Sequence, residues 1–307
     1  MTIFLQRMIT SSPFNLSLAM LIVGSSVVCG KLLTQEIPLF LASEIRFILA
    51  SLLFLPIGIY RRELFQISRH DWLILVAMAF CGQVLFTIML LLGLRYTSGI
   101  NAGTLTSTTP FFMALIARFC LGERYQKIQL LALLLSLSSI LLINYEALAE
   151  LTTSSASQLW GNLLIIGAVL GESCFLLLGK KLHGQISGLE LTALLSLLGA
   201  VICLPPALTE AMDFAFFALT ATDIVAMLYL GWIYTNLAYL CWFHGLKGSS
   251  GANAGIYTAL MPISASCFSL LLMDERMNFY QGAALLLSVS SILLSTVYMR
   301  KKDHATK

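Results

Sequence analysis

Three ionisable residues fall inside stretches that are otherwise almost uncharged: Glu172 in "LGESCF", and Glu44 and Arg46 in "LASEIRFILASLLFLP". A charge in apolar surroundings is costly unless paired or hydrated, so such residues mark either structural pairs or chemistry. Glu172 has no Lys or Arg within one helical turn. A carboxyl there can bind a proton, a cation or a substrate amine, or it can stay protonated against a neighbouring helix. Glu44 and Arg46 sit about 200° apart on a helix, so they cannot pair with each other across one face. Arg46 is placed to meet a substrate carboxylate or to neutralise a neighbour's acid; Glu44 reads as structural.

Uncharged polar residues form stripes around these charges. Gln83 and Thr87 share a helical face, as do Trp232, Asn236 and Tyr239. In lipid such groups face the bundle, because an unpaired polar group in hydrocarbon is expensive. They read either as a cavity lined by Gln83, Trp232, Asn236 and Tyr239 or as glue between helices.

Two further segments echo each other: "GINAGTLTSTTP" (99–110) and "GANAGIYTALMP" (251–262). Gly99, Gly103 and Ser107, like Gly251, Gly255 and Ala259, make small-residue rows suited to close helix packing. Asn101, Thr104 and Thr108 form a polar row whose counterparts are Asn253, Ile256 and Leu260, with Tyr257 beside them. The cavity expected from this is asymmetric, with hydroxyls on one wall and apolar and aromatic groups on the other. Pro110 and Pro262 fall near mid-span, where each predicts a kink. The kinks serve either as bending points or as fixed shaping, and the paired segments read as two gates around one cavity.

The elements that position these residues follow from composition. The chain has 307 residues, 58% hydrophobic and 11% charged, with mean hydropathy +0.88. A water-soluble domain carries about 25% charged residues, so lipid must be the solvent. Apolar runs long enough to span it lie at 14–33, 39–59, 72–94, 99–121, 128–145, 159–180, 188–208, 222–244, 251–273 and 279–299. Strand alternation is absent, which predicts an all-α integral membrane protein of ten transmembrane helices. The seven cysteines all lie in apolar runs without C-x-x-C spacing and read as small buried hydrophobes. No metal or cofactor is expected, no nucleic-acid partner, and no P-loop for ATP hydrolysis is present.

With the N-terminus inside, fourteen of the 18 Lys and Arg residues fall in inner loops and tails and three (Lys31, Arg95, Arg276) outside. The remaining one is Arg46. This bias predicts both termini in the cytoplasm.

At the constant offset of 152, residues 93–142 match 245–294 at 22 of 50 positions without a gap. The Asn, Pro, Glu, Arg and Gln matches exceed what shared lipid composition produces. The chain therefore reads as two homologous halves, 1–150 and 151–307, of five helices each. Five is odd, so the second half enters the membrane inverted, an arrangement typical of secondary transporters.

The residues "VGSSVVCGKLL", "LASEIRFILASLLFLP", "GLRYTSGINAGTLTSTTPFFMALIARFCLGER" and "YLCWFHGLKGSSGANAGIYTALMPISASCFSLLLMDER" resemble the EamA-type branch of the drug/metabolite transporter superfamily over nearly the whole chain. The first span lacks the tryptophan often found before Gly24, and Asp274 stands where a glycine is usual. The resemblance implies ten helices, cytoplasmic termini and movement of small metabolites, often amino acids outward, across a bacterial inner membrane. Proton coupling through Glu172 is one expectation. An uncoupled facilitator, a drug or nucleoside carrier and, more remotely, a membrane-embedded enzyme are the alternatives. The partners expected are a small-molecule substrate and the lipid bilayer, with the chain a monomer or homodimer.

Overall fold

Hydrocarbon offers the backbone no water, so its donors and acceptors must be satisfied within helices. The computed structural model describes residues 11–60, 67–121, 127–145, 153–179, 181–182, 186, 188–247 and 257–305, and all regular structure among them is helical. The elements are α1 (Ser12–Glu36), α2 (Leu39–Tyr60), α3 (Arg69–Met78, Ala79–Leu85 and Phe86–Leu94 in succession), α4 (Gly99–Thr106) and α5 (Thr109–Leu121). They continue with α6 (Lys127–Ile143), α7 (Thr153–Gly179), α8 (Gly188–Asp213), α9 (Ala221–Leu228, Tyr229–Leu237 and Ala238–Lys247 in succession), α10 (Leu260–Leu272) and α11 (Phe279–Ala305). Five of them, over Ser12–Leu33, Arg69–Leu94, Ala156–Gly179, Glu190–Asp213 and Ala221–Trp242, are long and apolar enough to cross a membrane. Shorter apolar helices occupy Lys127–Ile143, Leu260–Leu272 and Phe279–Leu294.

Local sequence explains the helix starts. The Ser68 hydroxyl accepts from the Asp71 amide to open α3, and Ser98 does the same for Asn101 at α4. Thr220 and Asp223 form a reciprocal capping box at α9.

Two features depart from ten uniform helices. The fourth span is not a kinked helix but a broken one, with a turn at 107–108 between α4 and α5. The described part of the ninth span shows a matching turn at 258–259 before α10. Pro110 is the second residue of α5 and Pro262 the third of α10, so both sit in a first turn, where an N–H has no intrahelical partner to lose. The expected kink is thus resolved as a fresh helix start. The other departure is a π-helical stretch inside α3 (Ala79–Leu85) and another inside α9 (Tyr229–Leu237). Each winds more residues into a turn than an α-helix does and rotates the face that follows. In α9 the Thr235 hydroxyl donates to the Leu230 carbonyl five residues back, at 2.8 Å.

The helices pack across the chain in a regular way. α1 lies against α9 and α10, α7 against α3, α4 and α5, α2 against α8, and α6 against α11. Exchanging each span with the one five further along maps these contacts onto themselves. The α6–α11 pair repeats the correspondence in single hydrogen bonds. Ser139 donates to the Ala284 carbonyl at 2.7 Å, and Ser291, 152 residues on, donates to the Ala132 carbonyl at 2.6 Å.

Glycine permits the closest approach, between α4 and α10: a Cβ on Gly103 would collide with the Cβ of Ala265. Gly103→Val should therefore lower the thermal unfolding temperature of the detergent-purified protein by several degrees. Gly282→Ala, where the nearest atom to an added Cβ is the Met277 sulfur at 3.6 Å, should leave it unchanged. Equal temperatures for the two variants would contradict this packing.

Candidate functional site

The π-helical stretches decide which side chains reach the interior. Gly82, Gln83, Phe86 and Thr87 from α3 and Tyr234, Thr235 and Tyr239 from α9 line one cavity with Arg46 of α2 and Glu172 and Phe175 of α7. A second cavity, more apolar, is lined by Ser26, Gly30 and Leu33 of α1, Ala42 and Ser43 of α2, and Leu90, Leu91 and Leu94 of α3, among others. Arg46, Thr87 and Tyr234 belong to both walls, so they divide the two spaces.

Arg46 is the electrostatic centre of this arrangement. It is 6% exposed. Its Nη2 donates to Thr87 Oγ1 at 2.9 Å and, at 3.4 Å, to Gln83 Oε1. The guanidinium carbon stands 4.4 Å from the Phe47 ring centroid and 5.6 Å from that of Tyr234, within cation–π range. Among the described residues no carboxylate forms an ion pair with it, and Nε has no hydrogen-bond partner. Neutral oxygens and ring faces therefore hold a full positive charge. Across the cavity, Glu172 Oε2 accepts from the Thr109 hydroxyl at 2.6 Å.

Of the residues singled out by sequence, Gln83, Tyr239, Arg46 and Glu172 are brought together on this wall. Others are not. Trp232 is 43% exposed on the outer surface, where its indole N–H donates to the Leu49 carbonyl at 3.1 Å. Asn236 is fully buried and donates to the Ala50 carbonyl, so it joins α9 to α2 rather than lining the cavity. The correction has one cause. The stripe Trp232–Asn236–Tyr239 assumed a 3.6-residue period, and the π segment turns Tyr234 and Thr235 inward instead. Thr104 and Thr108 are buried in α4 and its following turn, their hydroxyls donating to the carbonyls of Ile100 and Leu105, so they also leave the cavity wall. Tyr257 is half-buried at the ninth-span turn, away from both cavities. Glu44 is buried without facing either space, and its Oε2 has no hydrogen-bond partner among the described residues. Tyr234, Thr235, Phe86, Phe175 and Thr109 were missed. The tract "TSTTP" was the one sequence signal for Thr109.

The paired glycine and asparagine segments serve packing where they are described. Gly99 and Gly103 face Ser269 and Ala265 of α10. Asn101 lies in a polar chain: Gln281 donates to its carbonyl oxygen at 2.8 Å, its amide donates to Thr97, and Thr97 donates to Asn162. Asn253, Gly251 and Gly255 lie outside the described residues. At the same end of α4, Glu275 accepts from the Gly99 amide at 2.8 Å and the Ile100 amide at 3.2 Å. Lys31 pairs with the same carboxylate at 2.6 Å. A carboxylate at this helix N-terminus complements both the free amides and the dipole. Among the described residues, no three His, Cys, Asp or Glu side chains group so as to hold a metal ion.

Comparison with known proteins gives this arrangement its setting. The model of the EamA-like transporter family matches residues 11–145 and 159–297. The chain belongs to the EamA-like transporter family. A Bacillus subtilis (strain 168) relative, "Uncharacterized transporter YetK", is 35% identical over 290 residues, covering 94% of this chain and 88% of that one. "Uncharacterized inner membrane transporter YicL" of Salmonella typhimurium is 26% identical over 300 residues, covering 95% and 97%. A solved crystal structure superposes with TM-score 0.63 at 15% identity, covering 93% of this chain and 96% of its own, so the overall fold is shared. This EamA-like protein is thus a multi-pass membrane transporter, and the charged cavity lies inside a transporter bundle.

The Glu275 cluster ties α1, α4 and the α10–α11 connection of the transporter together. Glu275→Ala removes an acceptor from two amides and a lysine, and should cost about 2 kcal/mol in detergent unfolding. Glu275→Gln keeps an acceptor for the Gly99 amide and should cost less. A Gln variant as unstable as the Ala variant would mean the charge, not the cap, carries the interaction.

Proposed function

We propose that this transporter is a secondary carrier that exports small carboxylate-bearing metabolites, amino acids or related compounds, from the bacterial cytoplasm by alternating access. The observation that carries the reading is Arg46: a buried guanidinium that forms no ion pair among the described residues and stands between two cavities. An uncompensated cation in hydrocarbon is costly, and a substrate carboxylate removes that cost for as long as it is bound. Glu172 in the same cavity supplies the opposite chemistry, for a substrate amine or a proton, and the Tyr234, Tyr239 and Phe175 rings suit an organic side chain.

The architecture proposed is ten spans in two inverted five-helix halves, 1–150 and 151–307, with both termini cytoplasmic. The matched π stretches, the matched turns before Pro110 and Pro262, and the Ser139/Ser291 pair support it. Broken helices near the midplane of paired halves are a recurrent setting for transporter sites. Rocking of one half on the other then exposes Arg46 alternately to each side, and protonation of Glu172 couples the cycle to the proton gradient.

The test is transport in proteoliposomes loaded with a mixture of labelled amino acids. Arg46→Met should lower the rate for carboxylate substrates about 100-fold, the loss expected when a buried charged hydrogen-bond partner is removed. Glu172→Gln should abolish the dependence of rate on pH. Unchanged carboxylate transport by the Arg46 variant would overturn the substrate assignment. Unchanged pH dependence in the Glu172 variant would remove that residue from coupling.

A further inference from the structure

The break in the fourth span contains a proton-counting problem. Thr109 Oγ1 lies 2.6 Å from Glu172 Oε2 and 2.7 Å from the carbonyl oxygen of Thr106. A hydroxyl carries one proton and donates to one acceptor at a time. In an unbroken helix the Thr106 carbonyl would accept from the amide of residue 110, but that residue is Pro110 and has none. Its described donor is Thr109 alone.

The neighbouring hydroxyls are already committed. Thr106 donates to the Ala102 or Gly103 carbonyl, Ser107 to that of Thr104 while also touching Ser288, and Thr108 to that of Leu105. Ser173, next to Glu172 in α7, donates to the Val169 carbonyl. None of these hydroxyls is free to replace Thr109.

We propose that Thr109 is the positioning residue that transmits the protonation state of Glu172 to the break between α4 and α5. This rests on the reading of Glu172 as the proton-carrying group. With Glu172 protonated, its O–H donates to Thr109 Oγ1 and Thr109 donates to the Thr106 carbonyl, so all three groups are satisfied. When the proton leaves, the carboxylate takes the Thr109 proton, because a charged acceptor outcompetes a neutral one. The Thr106 carbonyl then stands open at the point where the helix already has no backbone bond. The break is closed in one protonation state and loosened in the other, and α5 can tilt relative to α4.

The ionisable groups that share the cavity with Glu172 are Arg46 of α2 and Tyr234 and Tyr239 of α9; Cys81 of α3 interacts with Cys174 of α7 and lies outside that cavity wall. α4 and the described side chains of α5 bring none. Tyrosine and cysteine stay neutral at physiological pH in such surroundings and Arg46 stays charged. Glu172 is therefore the group whose charge changes.

The experiment is hydrogen–deuterium exchange of the peptide covering 103–116 in proteoliposomes at acid and alkaline pH. Rates are corrected for intrinsic exchange, and transport is measured on the same liposomes. In the wild-type protein, exchange around the break should rise about fivefold on deprotonation, the ratio carried by one neutral hydrogen bond. Thr109→Val, equal in size but without a donor, should exchange fast at both pH values and lose the pH dependence of transport. Thr109→Ser should restore both. Glu172→Gln, whose amide donates to Thr109 as the protonated acid does, should exchange slowly at both. A Thr109→Val protein with the wild-type pH response overturns the proposal, as does a pH-responsive break in Glu172→Gln. If the wild-type break ignores pH while transport proceeds, the relay fails and the carrier reading stands. If the break responds but no carboxylate substrate moves, the carrier reading fails and the relay stands.

Discussion

The hydrogen bond from Arg46 to Thr87, with the Phe47 and Tyr234 rings in cation–π range, holds a cation where lipid would exclude it. A guanidinium cannot lose its charge there, since it stays protonated at any physiological pH. The surrounding helices are therefore constrained. α2 must present Arg46 inward, α3 must bring Gln83 and Thr87 to it, and α9 must supply ring faces rather than aliphatic side chains. The π stretches meet the second and third requirements, because they rotate α3 and α9 locally without ending either span.

The same economy of polar groups governs the broken span. Four consecutive hydroxyls, Thr106 to Thr109, donate to carbonyls of the turn before them, which is how a helix can stop inside hydrocarbon without orphaned backbone. Pro110 fixes where α5 restarts, and the missing amide makes Thr109 part of the backbone's hydrogen-bond ledger. The same atom also reaches the cavity, since its other partner is Glu172.

Much of the fold was legible because lipid simplifies the code. Hydropathy points to the long helices among the described residues, within a few positions for most, though α7 begins earlier, α8 and α11 run further than the apolar runs indicate, and neither the break in the run 99–121 nor the short 3-10 turn at Phe216–Ala218 shows in it. The offset of 152 pointed to the Ser139/Ser291 correspondence. The site was legible only in part. Glu172 and Arg46 stand out because charge in hydrocarbon is rare, whereas Trp232 was misread because no residue pattern announces a π-helix, and Asn236 takes the interhelical alternative. The wide turns over Tyr229–Leu237 put Tyr234 and Thr235 on the cavity wall, and a 3.6-residue period cannot follow them. Thr104 and Thr108 were misread for another reason: a threonine in an apolar helix has its own backbone as the nearest acceptor, and that local bond prevails over the cavity.

On the proposed function, a carboxylate from outside the chain completes the charge on Arg46. The most direct measurement is the thermal stabilisation of the purified wild-type transporter by each of a series of amino acids and by the matching carboxamides. At least one amino acid should raise the unfolding temperature in a saturable way while its carboxamide, equal in shape and lacking the negative charge, should not. Equal stabilisation by the two members of such a pair would show that binding proceeds without the Arg46–carboxylate interaction and would contradict it.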